Sequence, residues 1–398
     1  MLDLAKLARQ MPQIGQQMQK DAQASIERLK VAKQLLIEAQ KTQDQLIKAQ
    51  EQWCDRLIFS AATPTEPLTT AIDIKPAPVS HSVFSADGSQ IAPSHHEIAY
   101  CYLINIGRIM LHYGQNLHPL LDSIPDIYYK SEDLYAAKKW GIRPEEWMSY
   151  KRTIAETKVL AQMACAWVSP PGAHFHIPNL AMTDGSLVLW FLEGLPSEAR
   201  EKIIAPIIDS WIQLQQNNIP IIGYISASRS IDAISFLRFW ACPHEAPNCT
   251  TFCSADNEKN PCQKVDPLRD STLWGQILQP NQRSAIFRSN SRILELYPEE
   301  QRIYFCYLHG GSEIARVEFP QWVAQDSELL NQTLSITLTQ IEKGFGYPVA
   351  LAEAHNLAVV KGGDRTRFFK LLEEQMFKSG VKNIGISYKE ARKRGSIA

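Results

Sequence analysis

From Val83 onward the chain alternates short apolar runs with amphipathic stretches, and this alternation limits the possible folds more than any other feature. SVFSADGSQIA (82–92), NLAMTDGSLVLWFLEG (179–194) and IPIIGYISASRS (219–230) read as strands, and EIAYCYLINIGRIMLHYG (97–114) as a strand pair or strand run. Between them lie PEEWMSYKRTIAETKVLAQMACAW from Pro144 and SEAREKIIAPIIDSWIQLQQNN from Ser197. The first opens with Pro and two acids, the signature of a helix start. RIYFCYLHGG and SEIARVEFPQW predict two antiparallel strands joined at Gly310-Gly311. Helices follow over 327–344 and from Pro348. Strands alternating with helices predict an α/β sheet with helices packed on it.

The N-terminal region differs. In residues 1–60, Leu4, Leu7, Met11, Ile14, Met18, Ile26, Leu29 and Leu36 fall at helical spacing between Gln- and Lys-rich faces. This predicts a helical arm with coiled-coil character, either packed on its own chain or docking a partner. Residues 61–82 hold four Pro among Thr and Ser and predict a linker or an extended wrap. The main domain then runs over 83–398, interrupted by a Cys- and Pro-rich insertion at about 241–270. The formal net charge of -1 excludes a uniformly basic DNA coat. Residues 361–398 alone carry ten Lys and Arg against four Asp and Glu, a local +6 that leaves about -7 for the rest. There is no apolar run long enough to span a bilayer, and the N-terminus lacks the pattern of a secretory signal. The expectation is a cytoplasmic protein with reduced thiols and no membrane partner.

Asp87 and Asp184 each stand in an Asp-Gly-Ser at the end of an apolar run. A carboxylate at the edge of a sheet is rigidly held, and two on neighbouring strands could share Mg²⁺ or Mn²⁺; the alternative is ordinary turn chemistry. Glu156 falls on the helix face of Leu160, Met163 and Trp167. A carboxylate on an apolar face needs a partner, which is either a metal or Arg152 one turn back. Together the three acids make the set that metal-assisted phosphodiester cleavage requires. His355 shares a face with Ala352 and Val359, and is either a hydrogen-bonded core histidine or a functional one.

Cys242, Cys249, Cys253 and Cys262 crowd into 21 residues with His244 among them. A structural zinc or an iron–sulfur cluster would explain the crowding, although the C-x2-C knuckle is missing. The other cysteines, at 54, 101, 165 and 306, lie in apolar patterns and are expected in the core. Lys361, Arg365 and Arg367, with the run Arg392, Lys393 and Arg394, could contact DNA phosphates or form a solvated helix surface. The sequence holds no phosphate-binding P-loop, so ATP-driven movement on DNA would have to come from a partner.

The order of these motifs resembles the NurA family of DNA repair nucleases over roughly residues 80–375: Asp87-Gly88-Ser89, a helix with Glu156, Asp184-Gly185-Ser186-Leu187, the strand Ile221-Ile222-Gly223-Tyr224-Ile225-Ser226, and Glu353-Ala354-His355. The resemblance implies a ribonuclease-H-like mixed sheet with flanking helices. It implies Asp87, Glu156 and Asp184 as ligands of a catalytic Mn²⁺ or Mg²⁺, His355 as a further catalytic residue, and Tyr224 as a possible addition. It also implies a 5′-to-3′ exonuclease and single-strand endonuclease acting in DNA end resection during double-strand break repair. Such enzymes work as homodimers on the hexameric ATPase HerA. The long arm and the Cys-rich segment depart from the family's shorter members. The competing function is a DNA-end-binding scaffold of the same fold without activity.

Overall fold

Every residue of the strand His81–Ile91 from His81 to Ala86 is buried. Successive side chains of a strand point to opposite faces, so burial at consecutive positions means cover on both sides. The structure, a computed structural model, describes residues 3–92, 101–170, 174–253 and 260–380. It forms two compact units, each built from two stretches of chain: Met1–Lys75 with Tyr224–Ala324, and Pro76–Gly223 with Gln325–Ala398.

The second unit holds the sheet around His81–Ile91. That strand pairs antiparallel with Tyr102–Tyr113, from His81 opposite Tyr113 to Ile91 opposite Leu103. On its other side it runs parallel to Asn179–Asp184, and Tyr102–Tyr113 pairs antiparallel with Leu120–Tyr128. Three antiparallel strands in chain order, with the fourth parallel to the first, make the mixed sheet that the family resemblance implies. The run 97–114 is a single strand in its described part, and residues 93–100 lie outside the described residues. Leu120–Tyr128 was not legible as a strand because it is largely exposed and contains Pro125, which marks it as an edge. The helix Pro144–Val168 begins as expected, with Pro at its start and Glu145 and Glu146 in the first turn.

Gly88 and Gly107 show how helices reach the sheet. Asp87 lies opposite Gly107, and Gly88 opposite Ile106, so Gly88 and Gly107 sit on opposite faces of the sheet. A Cβ at Gly88 would lie 2.5 Å from Glu156 Oε1 on the helix Pro144–Val168. A Cβ at Gly107 would lie 2.5 Å from the carbonyl of Ala354 on the helix Val349–Ala358. Each glycine therefore lets one helix approach its own face.

In the first unit, the helix Met11–Lys41 is followed by Gln43–Trp53. Ala32, Leu36 and Ala39 enter a core with Phe236, Leu237, Trp274, Phe287, Phe305 and Tyr307. The earlier apolar positions Leu4, Met11, Ile14 and Met18 are exposed. The stripe breaks between Met18 and Ile26 in sequence, and it is packed within the described chain only from Leu29 onward. Residues 61–75 of the Pro-rich segment form a wrap: Thr63–Pro64 pairs with Phe287–Arg288, Ala71–Asp73 pairs with Gln282–Ser284, and Leu68 is fully buried. The expected antiparallel pair forms between Ile303–His309 and Ile314–Pro320, from Ile303 opposite Pro320 to His309 opposite Ile314. Cys101 and Cys306 are buried, whereas Cys54 is exposed at the end of the arm and is not a core residue. Among the described residues no helix is long and apolar enough to cross a membrane.

Candidate active site

Asp87 stands within its strand, not at its end. The strand continues through Gly88 and Ser89 to Ile91, with each residue still paired to Tyr102–Tyr113. The first Asp-Gly-Ser is therefore no turn, and its glycine serves the close approach of the Glu156 helix. Asp184 does end its strand, as expected.

The helix Val349–Ala358 is held at its C-terminal end by two strand side chains. Ser89 Oγ donates to the carbonyl of Ala358 and accepts from the amide of Val360 at 3.2 Å. Asn105 Nδ2 donates to the same carbonyl at 2.8 Å. The last carbonyls of a helix lack partners within it, so these bonds fix the helix where it would otherwise fray. This docking places His355 over Asp87, with Nδ1 2.8 Å from Asp87 Oδ2. An ionised carboxylate only accepts, so the proton of this bond sits on Nδ1 and leaves Nε2 free for solvent or a substrate. The side chain of His355 is 63% exposed, so it is not a core histidine.

Glu156 comes up from the opposite face against Gly88, whose amide bonds its carboxylate. Its pKa is pushed up to about 7, first by burial and then by the charges of Asp87 and Asp184, against the opposing pull of Arg152. Arg152 Nε lies 3.2 Å from Glu156 Oε1, so the ion pair with the previous turn exists beside the acidic neighbours rather than instead of them. Asp184 keeps solvent access at its strand end, yet the protein crowded around it raises its pKa. The Tyr347 hydroxyl bonds its carboxylate and opposes that shift, while the Asp87 charge adds to it.

The three acids, His355 and Tyr347 thus act on one another at one place in the second unit, although 268 positions separate Asp87 from His355. Among the described residues, no group of three or more His, Cys, Asp or Glu side chains is already arranged to hold a metal ion.

A family model of the NurA domain matches residues 81–360, a span that begins with the Asp87 strand and closes just after the His355 helix. The chain belongs to the NurA family. NurA is a nuclease family, and its matched span contains all five residues of the cluster. The fold is also similar to the crystal structure of the NurA nuclease from Sulfolobus solfataricus, with a TM-score of 0.50 at 12% identity over 95% of this chain and 98% of that one. At that identity the likeness speaks for the fold. No curated protein matches the chain.

Within this NurA chain, Tyr347 is the site residue that sequence reasoning missed. It follows a Gly-Phe-Gly turn with no apolar period to mark it, and only the tertiary contact with Asp184 reveals it. Tyr224 is fully buried and donates its hydroxyl to Glu313 at 2.9 Å. Lys361 caps the exposed helix Gly362–Lys378; Arg365 lies over the Phe369 ring, and Arg367 is 3.9 Å from Asp364. Arg392, Lys393 and Arg394 lie outside the described residues.

Proposed function

We propose that this NurA chain is a metal-dependent deoxyribonuclease whose centre is Asp87, Glu156 and Asp184. The observation that carries the reading is the convergence of three carboxylates from two strands and a helix, with Glu156 held in a place that disfavours its charge. Such a set is stabilised by a cation, and its all-oxygen chemistry suits Mn²⁺ or Mg²⁺. The three side chains would turn in to hold the ion, which when bound neutralises charge developing on the scissile phosphate. Arg152 offsets the surplus of negative charge at Glu156. Tyr347 orients Asp184, and Asp87 fixes the tautomer of His355. The Nε2 of His355 then orients the phosphate or passes a proton to the leaving oxygen.

The substrate is DNA. The activities are 5′-to-3′ exonucleolytic and single-strand endonucleolytic, serving end resection in double-strand break repair. The working form is a homodimer on a HerA-type hexameric ATPase, consistent with the lack of a P-loop here. Lys361, Arg365, Arg367 and the Arg392–Arg394 run supply phosphate contacts.

The test uses purified protein on linear duplexes labelled at either end and on single strands, with Mn²⁺, Mg²⁺ or chelator, alone and with the ATPase. Cleavage that needs the metal and disappears in Asp87→Asn and Asp184→Asn supports the reading. DNA-end binding without cleavage under all these conditions would replace it with the scaffold reading.

A further inference from the structure

Cys242, Cys249, Cys253 and Cys262 line one small cavity in the first unit, together with Arg238 and Asn260. None of the four thiols is in a disulfide. Cys249 and Cys253 bracket a single helical turn, Cys249–Phe252, with the amide of Cys253 bonded to the carbonyl of Cys249 at 3.0 Å. A spacing of four puts both side chains on one face, and their sulfurs share a hydrogen bond. Cys242 and Cys262 are close enough to act on that pair electrostatically.

The rest of the lining is unusual for a cavity of neutral thiols. Arg238 is only 6% exposed, and its Nε has no hydrogen-bond partner. The Phe59 ring lies 3.9 Å from its guanidinium carbon, and its carboxylate neighbour, Asp266, is 3.7 Å from Nη1. Asn260 Nδ2 is likewise buried without a partner. A buried donor without an acceptor is costly, and a neutral thiol is a weak acceptor. Thiolate sulfurs are far stronger acceptors. Four of them around one divalent ion carry a net charge of −2, which a buried guanidinium offsets.

We propose that Cys242, Cys249, Cys253 and Cys262 bind one zinc ion as a tetrahedral tetrathiolate, with Arg238 and Asn260 as the donors facing its sulfurs. Binding releases the four thiol protons to solvent and needs no oxidant or reductant. Sulfurs at about 2.3 Å from a tetrahedral centre lie about 3.8 Å from one another, and Cys249 and Cys253 are a pair whose sulfurs already meet through a hydrogen bond. A multi-iron cluster would have to push those sulfurs apart. The His244 ring also lines the cavity, stacked on Phe252 at 4.4 Å, and the four sulfurs alone complete a tetrahedral donor set. The four sulfurs are not yet gathered closely enough to hold an ion, so they would draw in as it enters. The bound ion would staple the segment 242–262 to the helix Asp232–Ala241, which carries Arg238.

The experiment is elemental analysis of the full chain purified without added metal, followed by Co²⁺ titration of the chelator-stripped protein. The expected result is roughly one zinc per chain, and on titration the absorption of tetrahedral cobalt with thiolate charge-transfer bands, saturating at one equivalent. Cys249→Ser combined with Cys253→Ser should lose the zinc and the cobalt spectrum and lower the melting temperature. The cobalt titration of the unaltered chain decides the matter if that variant does not fold. Iron with a brown chromophore would overturn the proposal in favour of a cluster. Absence of zinc, with no tetrahedral cobalt spectrum, would overturn it altogether.

Discussion

The carboxylate centre and the cysteine cavity are assembled in opposite ways. The four cysteines come from 21 consecutive residues, so their proximity is already written in the local sequence. The carboxylate centre draws on positions 87, 156, 184, 347 and 355, which lie on two strands, two helices and a loop. Their meeting depends on the docking of two helices at Gly88 and Gly107, and on Ser89 and Asn105 holding one helix end. A site made by long-range docking is rigid and gives precise placement. A site made within a loop has little else to hold it, which is why a stapling metal would matter there.

The sharpest way to break the contrast is at the acids. Asp87→Asn or Asp184→Asn should cut metal-dependent DNA cleavage by about three orders of magnitude, because several kcal/mol of charge stabilisation goes with the ion. The melting temperature should stay near that of the unaltered chain. Retention of full activity by both variants would remove the carboxylate centre from the mechanism.

His355→Ala should cost roughly 100-fold in cleavage, the lower end of what a positioned proton donor contributes. His355→Gln keeps a side-chain amide N–H donor and should recover part of the rate.

The docking itself can be tested at Gly107. In Gly107→Ala the new methyl would meet the Ala354 carbonyl and the backbone of Ala358, neither of which can move without the helix. Overpacking of this kind costs about 1–3 kcal/mol, measurable by denaturant unfolding, and should displace His355 and lower activity as well. A stable, fully active Gly107→Ala would mean that the helix approach is looser than the structure shows.

The smallest expected effect depends on pH. The carboxyl of Glu156 is raised from 4.5 to about 7, so between those values the folded chain holds a proton that the unfolded chain has released. Stability therefore falls as pH rises through this window, and the cost is complete above about pH 7. Glu156→Gln has no charge to bury. In chelator-treated protein it should match the unaltered chain at pH 4.5 and gain up to about 3 kcal/mol by pH 8, a figure that already includes the pull of Arg152. A constant difference across that range would remove the burial argument for Glu156.

Sequence alone determined the α/β class, the helix from Pro144, the hairpin at Gly310-Gly311 and the long N-terminal helix, because these follow from local periodicity and caps, and residue chemistry singled out the three acids as candidates. It could not separate an Asp-Gly turn from an Asp-Gly strand, since only the pairing of Gly88 with Ile106 distinguishes them. It could not find Tyr347, whose role is one contact with Asp184. Nor could it divide the chain into units that each join two distant stretches. The half of the arm stripe that is buried depends on which residues Ala32 and Leu36 meet, not on the stripe itself. The physical reason is common to all four. Periodicity reports which face of an element is apolar, whereas a partner across the fold is set by where the chain returns, and that is decided by the packing of the whole.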